Sequence, residues 1–101
     1  LYKEYLNLGN NQMKEVPSFL GHCPKLWHLI LNNNSLSELP LTFRELTELR
    51  LLNLGMNLFE KLPSVVCGMG KLQVLFMNGN KLRGLPPLVV ILKIIHNFHY
   101  F

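Results

Sequence analysis

The residues of this 101-residue chain whose types could do chemistry are four histidines, two cysteines and six glutamates; aspartate is absent. His96 and His99 make an H-x-x-H pair of the kind that binds a metal. A metal site needs several convergent ligands, and no third ligand lies in phase nearby, so the pair reads as polar residues on a degenerate strand. His22 beside Cys23 pairs a base with a nucleophile, as covalent catalysis requires. Cys23, however, holds a position occupied elsewhere by Leu46, Met69 and Leu92, which makes it a small core hydrophobe. The glutamates are scattered, and no glycine-rich phosphate loop or nucleophile elbow is present. No residue is assigned a catalytic, cofactor or metal role; the chain reads as a non-enzyme without a cofactor or small-molecule substrate.

The organisation that positions these residues is a repeat, and a fixed period can settle an architecture. Four frames, LNLGNNQMKEVP, LILNNNSLSELP, LNLGMNLFEKLP and LFMNGNKLRGLP, follow one another at 23-residue steps without insertion or deletion. Leu6, Leu29, Leu52 and Leu75 form one row, and Leu8, Leu31, Leu54 and Met77 the next. Met13, Leu36, Phe59 and Leu82 follow, then Val16, Leu39, Leu62 and Leu85, then Pro17, Pro40, Pro63 and Pro86. Leucines two apart face the same side of a short strand, so each repeat buries one pair. Strands stacked in parallel about 4.8 Å apart then build a continuous core that no single repeat could form. Asn11, Asn34, Asn57 and Asn80 sit where each strand must turn, and an amide offers two donors and an acceptor to backbone groups buried there. The prolines fix φ and lack an N–H, which suits an extended return path.

These rows resemble the leucine-rich repeat family in its 23-residue form, L-x-x-L-x-x-L-x-L-x-x-N-x-L-x-x-L-P, common in intracellular signalling scaffolds of the Ras-associated group. The resemblance covers nearly the whole chain. It implies an α/β solenoid with parallel strands on the concave face, short helical or 3-10 return segments, and a structural ladder of Asn11, Asn34, Asn57 and Asn80. It also implies a protein partner, with small GTPases and phosphatases among the candidates. In the return segments Leu20, Phe43, Val66 and Val89 precede Cys23, Leu46, Met69 and Leu92 by three residues, the spacing of single helical turns. Leu41 to Glu48 is the most helix-like stretch, and Gly68 and Gly70 weaken the next. Residues 1–101 form one domain of about four repeats, with 87–101 a degenerate or truncated fifth.

Function is then expected on the residues that alternate with the core leucines. These are Tyr5, Asn7 and Gly9; His28, Ile30 and Asn32; Leu51, Asn53 and Gly55; Val74, Phe76 and Asn78; and Asn97, His99 and Phe101. Ile30, Leu51, Val74 and Phe76 are expected to form a contiguous apolar patch flanked by Tyr5 and His28, with Trp27 and Arg50 at the strand edge. Such patches mark protein interaction sites, and tyrosine and tryptophan are enriched among their hot spots; the alternative is a partly apolar face that binds nothing, with Trp27 packed on its neighbours. The function expected is a protein-binding module of an intracellular scaffold or adaptor. The alternatives are a sensor region of a larger signalling enzyme, part of a cell-surface receptor, and a truncated product without independent function.

Ten basic against six acidic residues give a net charge of +4. Lys14, Lys25, Arg44, Lys61, Lys71, Lys81 and Arg83 are dispersed over the loops and the convex side, whereas a nucleic-acid groove clusters basic residues with aromatics; no nucleic-acid partner is expected. Cys23 and Cys67 lie two repeats apart, about 10 Å by strand spacing, beyond disulfide reach, and are expected as free thiols. The sequon Asn33-Asn34-Ser35 is a tripeptide common by chance. A cytoplasmic location is expected. The apolar run from Pro87 carries Lys93 and falls short of the ~20 residues of a membrane span; it reads as a degenerate repeat in preference to a docking strand or a membrane-contacting tail. No signal peptide is visible, no polar cap closes either end, and the start at Leu1, with Lys3 where later repeats carry Leu26, Leu49 and Leu72, reads as a cut into a longer protein.

Overall fold

The computed structural model describes residues 3–84 and the strand at 97–99. Five three-residue strands, β1 (Tyr5–Asn7), β2 (His28–Ile30), β3 (Leu51–Asn53), β4 (Val74–Phe76) and β5 (Asn97–His99), form one parallel sheet in sequence order. Its register repeats the sequence period: Leu6 pairs with Leu29, Leu29 with Leu52, Leu52 with Leu75 and Leu75 with Phe98. Backbone bonds carry the pairing past the strands, from Trp27 N–H to Glu4 C=O at one end and from Asn10 N–H to Asn32 C=O at the other. Residues 85–96, 100 and 101, which hold most of the expected fifth repeat, lie outside the described residues.

The return segments are 3-10 helices at Ser18–His22, Leu41–Glu45 and Ser64–Gly68. Each begins after a proline whose carbonyl accepts the N–H three residues on, from Leu20, Phe43 and Val66. All three are five residues long, so the stretch expected to be most helical gains no length and the glycine-flanked one loses none. Packing overrides propensity here. Leu46 and Leu49, which follow the second segment, are both buried where the chain crosses to the next strand. Leu29, Leu31, Leu52, Leu54, Leu75 and Met77 face Leu20, Phe43 and Val66 across a single core.

The asparagine ladder runs through this core. Asn57 Nδ2 donates to the carbonyls of Leu54 (3.1 Å) and Gly55 (3.1 Å) in its own repeat and of Leu31 (3.0 Å) in the one before, while its Oδ1 accepts Leu36 N–H at 3.0 Å. Asn34 and Asn80 repeat all four bonds. Asn11 has no described repeat before it; it is exposed and bonds only Leu8 and Gly9 of its own turn. A second column was not anticipated. Asn10, Asn33 and Met56 take φ values of 58°, 54° and 55°, and Gly79 takes 71°. The turn after each of β1 to β4 is left-handed, which asparagine and glycine tolerate at lower cost than methionine. Asn33 Nδ2 also donates to Asn10 Oδ1 at 2.9 Å, a short outer ladder.

Candidate functional site

Each of β1 to β4 turns its leucine into the core and its flanking residues outward, so the open face of the sheet carries two rows. Register places Tyr5, His28, Leu51 and Val74 side by side in one row and Asn7, Ile30, Asn53 and Phe76 in the other. Tyr5 is exposed, and from His28 onward these face residues are half-buried. The Tyr5 and His28 rings meet edge to face, 6.2 Å between centroids.

The apolar members are arranged less simply than a continuous patch. Leu51 and Val74 are paired neighbours, Val74 and Phe76 share a strand, and Ile30 lies diagonally from Leu51. Asn53 stands between Ile30 and Phe76. Its Oδ1 accepts Gly55 N–H at 2.9 Å, as Asn7 Oδ1 accepts Gly9 N–H, which ties both asparagines to the turn and keeps them on the surface. Gly55, expected on the face, is buried: a Cβ there would stand 2.9 Å from Asn78 Oδ1, because the next repeat's asparagine folds over it.

One residue ahead of the strands runs a rim row, in which Trp27 N–H bonds Glu4 C=O, Arg50 N–H bonds Trp27 C=O and Gln73 N–H bonds Arg50 C=O. Trp27 is 44% exposed. The Arg50 guanidinium lies over its indole, 4.8 Å from the ring centroid, close enough for a cation–π contact. Sequence reasoning placed both residues at the edge without joining them, although equivalent positions 23 apart are direct neighbours in such a stack. The same spacing produces the ion pairs Lys71–Glu48 (2.9 Å) and Arg83–Glu60 (3.3 Å) on exposed surface, where such pairs contribute little to stability.

Among the described residues no three His, Cys or Glu side chains gather as metal ligands. The expectations for His96 and Phe101, and for the His99 side chain, lie outside the described residues. Cys23 is buried and Cys67 exposed, both as free thiols; His22 is exposed. An open hollow of about 210 Å³ lies on the return side between Glu38, Phe59, Lys61 and Pro63, small against the roughly 300–1,000 Å³ of ligand clefts. No helix among the described residues is long and apolar enough to cross a membrane.

Comparison with known proteins agrees with this architecture. A family model described as Leucine Rich Repeat matches residues 25–46 and 71–90. A solved leucine-rich repeat protein of Leptospira interrogans superposes with a TM-score of 0.86 at 32% identity, over 93% of this chain and 24% of that one. An internalin of Listeria monocytogenes superposes with a TM-score of 0.79 at 30% identity, over 94% of this chain and 27% of that one. The chain therefore spans about a quarter of the length of the solved proteins it matches. No curated protein matches it.

Proposed function

This chain belongs to the leucine-rich repeat family, and from that premise we propose that it is a non-catalytic protein-interaction module that holds its partner on the concave strand face. Domains of this family are typically non-catalytic and bind other proteins. The observation that carries the reading is the half-buried group Leu51, Val74, Phe76 and Ile30, flanked by exposed Tyr5 and Trp27, on strands fixed by backbone bonds. A rigid face loses little conformational freedom on binding, so more of the gross contact energy survives as affinity. The finer setting we propose is an intracellular scaffold or adaptor of the 23-residue type, in the cytoplasm; an exposed free thiol at Cys67 suits a reducing compartment. Partners such as a small GTPase or a phosphatase belong to the same proposal.

A second reading has a specific observation behind it. Five three-residue strands at ~4.8 Å spacing and ~3.3 Å per residue present a backbone face of roughly 240 Å², against the roughly 800 Å² per partner of a standard interface. Together with a span of about a quarter of its solved relatives, that area suits the leucine-rich sensor portion of a larger signalling protein.

The test is a pull-down from cytosol with the wild-type chain and an Ile30→Glu, Phe76→Glu double variant, both confirmed as folded by circular dichroism. Partners held by the wild type and lost by the variant are expected; an unchanged set rejects this face. Truncating a true anchor costs about 2 kcal/mol or more of affinity, whereas Leu52→Ala, in the core, costs about 2–5 kcal/mol of folding stability.

A further inference from the structure

Resting on that reading of the strand face, we propose that Arg50, stacked on Trp27, receives a carboxylate side chain of an extended partner peptide whose neighbouring apolar side chain seats on Leu51, Val74 and Phe76. The guanidinium carbon lies 4.8 Å from the centroid of the Trp27 ring, a cation–π contact that consumes none of its N–H donors. No described side chain takes them. Glu48, two residues away, gives both oxygens to Lys71 at 3.1 and 2.9 Å, Glu60 pairs with Arg83, and Glu4, beyond Trp27 in the same rim row, forms no ion pair with Arg50. A half-buried cation held in one orientation and lacking an anion is a preorganised site. Its planar fork matches a carboxylate through two parallel bonds, and the stack has already removed much of the side-chain freedom that binding would cost.

The surroundings specify the occupant further. Val74 lies one strand over and one residue along from the Arg50 row, about 6 Å away by strand and residue spacing. That matches the ~6.6 Å between side chains on the same edge of an extended peptide, so an acidic residue at one position and an apolar one two further on fit together. A single guanidinium beside an apolar row does not suit nucleic acid, whose sites cluster several cations along a groove.

The test is selection of a displayed library of random linear peptides on the folded chain, on Arg50→Gln and on Phe76→Glu, each checked by circular dichroism. The expected wild-type enrichment is Asp or Glu two residues before Leu, Ile or Phe. Arg50→Gln should lose the acidic preference and keep the apolar one. In direct titration of a selected peptide, read by the fluorescence of the sole tryptophan, Trp27, replacing its Glu by Gln should weaken binding about tenfold or more in the wild type and leave it unchanged in Arg50→Gln. Apolar enrichment without an acidic preference, or an acidic preference that survives Arg50→Gln, overturns the Arg50 site while leaving the face reading intact. Failure to enrich any peptide, or enrichment that Phe76→Glu does not alter, overturns both.

Discussion

Replacing Asn57 by leucine, a side chain of similar size, removes four hydrogen bonds from the middle of the ladder, and the structure shows why their costs do not simply add. Each of the three carbonyls that Asn57 serves has a second donor. Leu31 C=O keeps Asn34 Nδ2 at 3.1 Å, Leu54 C=O keeps Asn80 Nδ2 at 2.9 Å, and Gly55 C=O keeps Asn33 N–H at 2.9 Å. Leu36 N–H has no such reserve: Asn57 Oδ1 is its acceptor, in a buried position. One orphaned buried donor costs about 1–3 kcal/mol. The second bonds lost by the carbonyls each add less than the ~0.5–1.5 kcal/mol of an ordinary net hydrogen bond, which gives about 2–4 kcal/mol in all. Urea unfolding followed by far-ultraviolet circular dichroism measures this directly. Asn11→Leu is the matched comparison, since Asn11 is exposed and bonds only its own turn; it should cost less than about 1 kcal/mol. Equal losses at the two positions, or a loss below about 0.5 kcal/mol at Asn57, would refute the account of the ladder as satisfaction of buried backbone.

Met56 holds φ at 55°, where a side chain other than glycine or asparagine costs about 1–2 kcal/mol. Met56→Asn should therefore raise stability by roughly 0.5–1 kcal/mol, or several degrees in Tm, while Leu58→Asn, at an exposed position with ordinary φ, should not. A methyl group on Gly21 would stand 2.6 Å from Thr42 C and Cβ, where the first two 3-10 segments meet. Gly21→Ala should cost about 1–3 kcal/mol by overpacking, and Gly68→Ala, with open space around it, should fall within about 0.5 kcal/mol of wild type in the same denaturation assay. Cys67 should react with a thiol reagent in the folded protein and Cys23 only after denaturant is added, as their exposure requires; two rapidly titrating thiols in native buffer would contradict the packing of Cys23.

Much of the fold was legible because a constant period turns sequence spacing into spatial neighbourhood. Leu29 meets Leu52 and Phe43 follows Leu20 for the same reason: residues 23 apart occupy one row of a stack. Apolar type alone then identified the core, and the period, the amide's donors and acceptor and the family resemblance together pointed to Asn34, Asn57 and Asn80. The outward residues of the face followed from strand alternation, which is why Tyr5, His28, Ile30, Leu51, Val74 and Phe76 could be named in advance. What alternation does not specify is how side chains of adjacent repeats lean on one another. Asn53 divides the expected patch, Asn78 covers Gly55, Met56 occupies a left-handed turn, and Arg50 lies on Trp27. Sequence by itself therefore determined the architecture, the core rows and the ladder, because each depends on a period repeated four times. Only the tertiary structure decided the texture of the face, because rotamer, turn handedness and hydrogen-bond partner are set at each position by contacts that no repeat shares in full with the next.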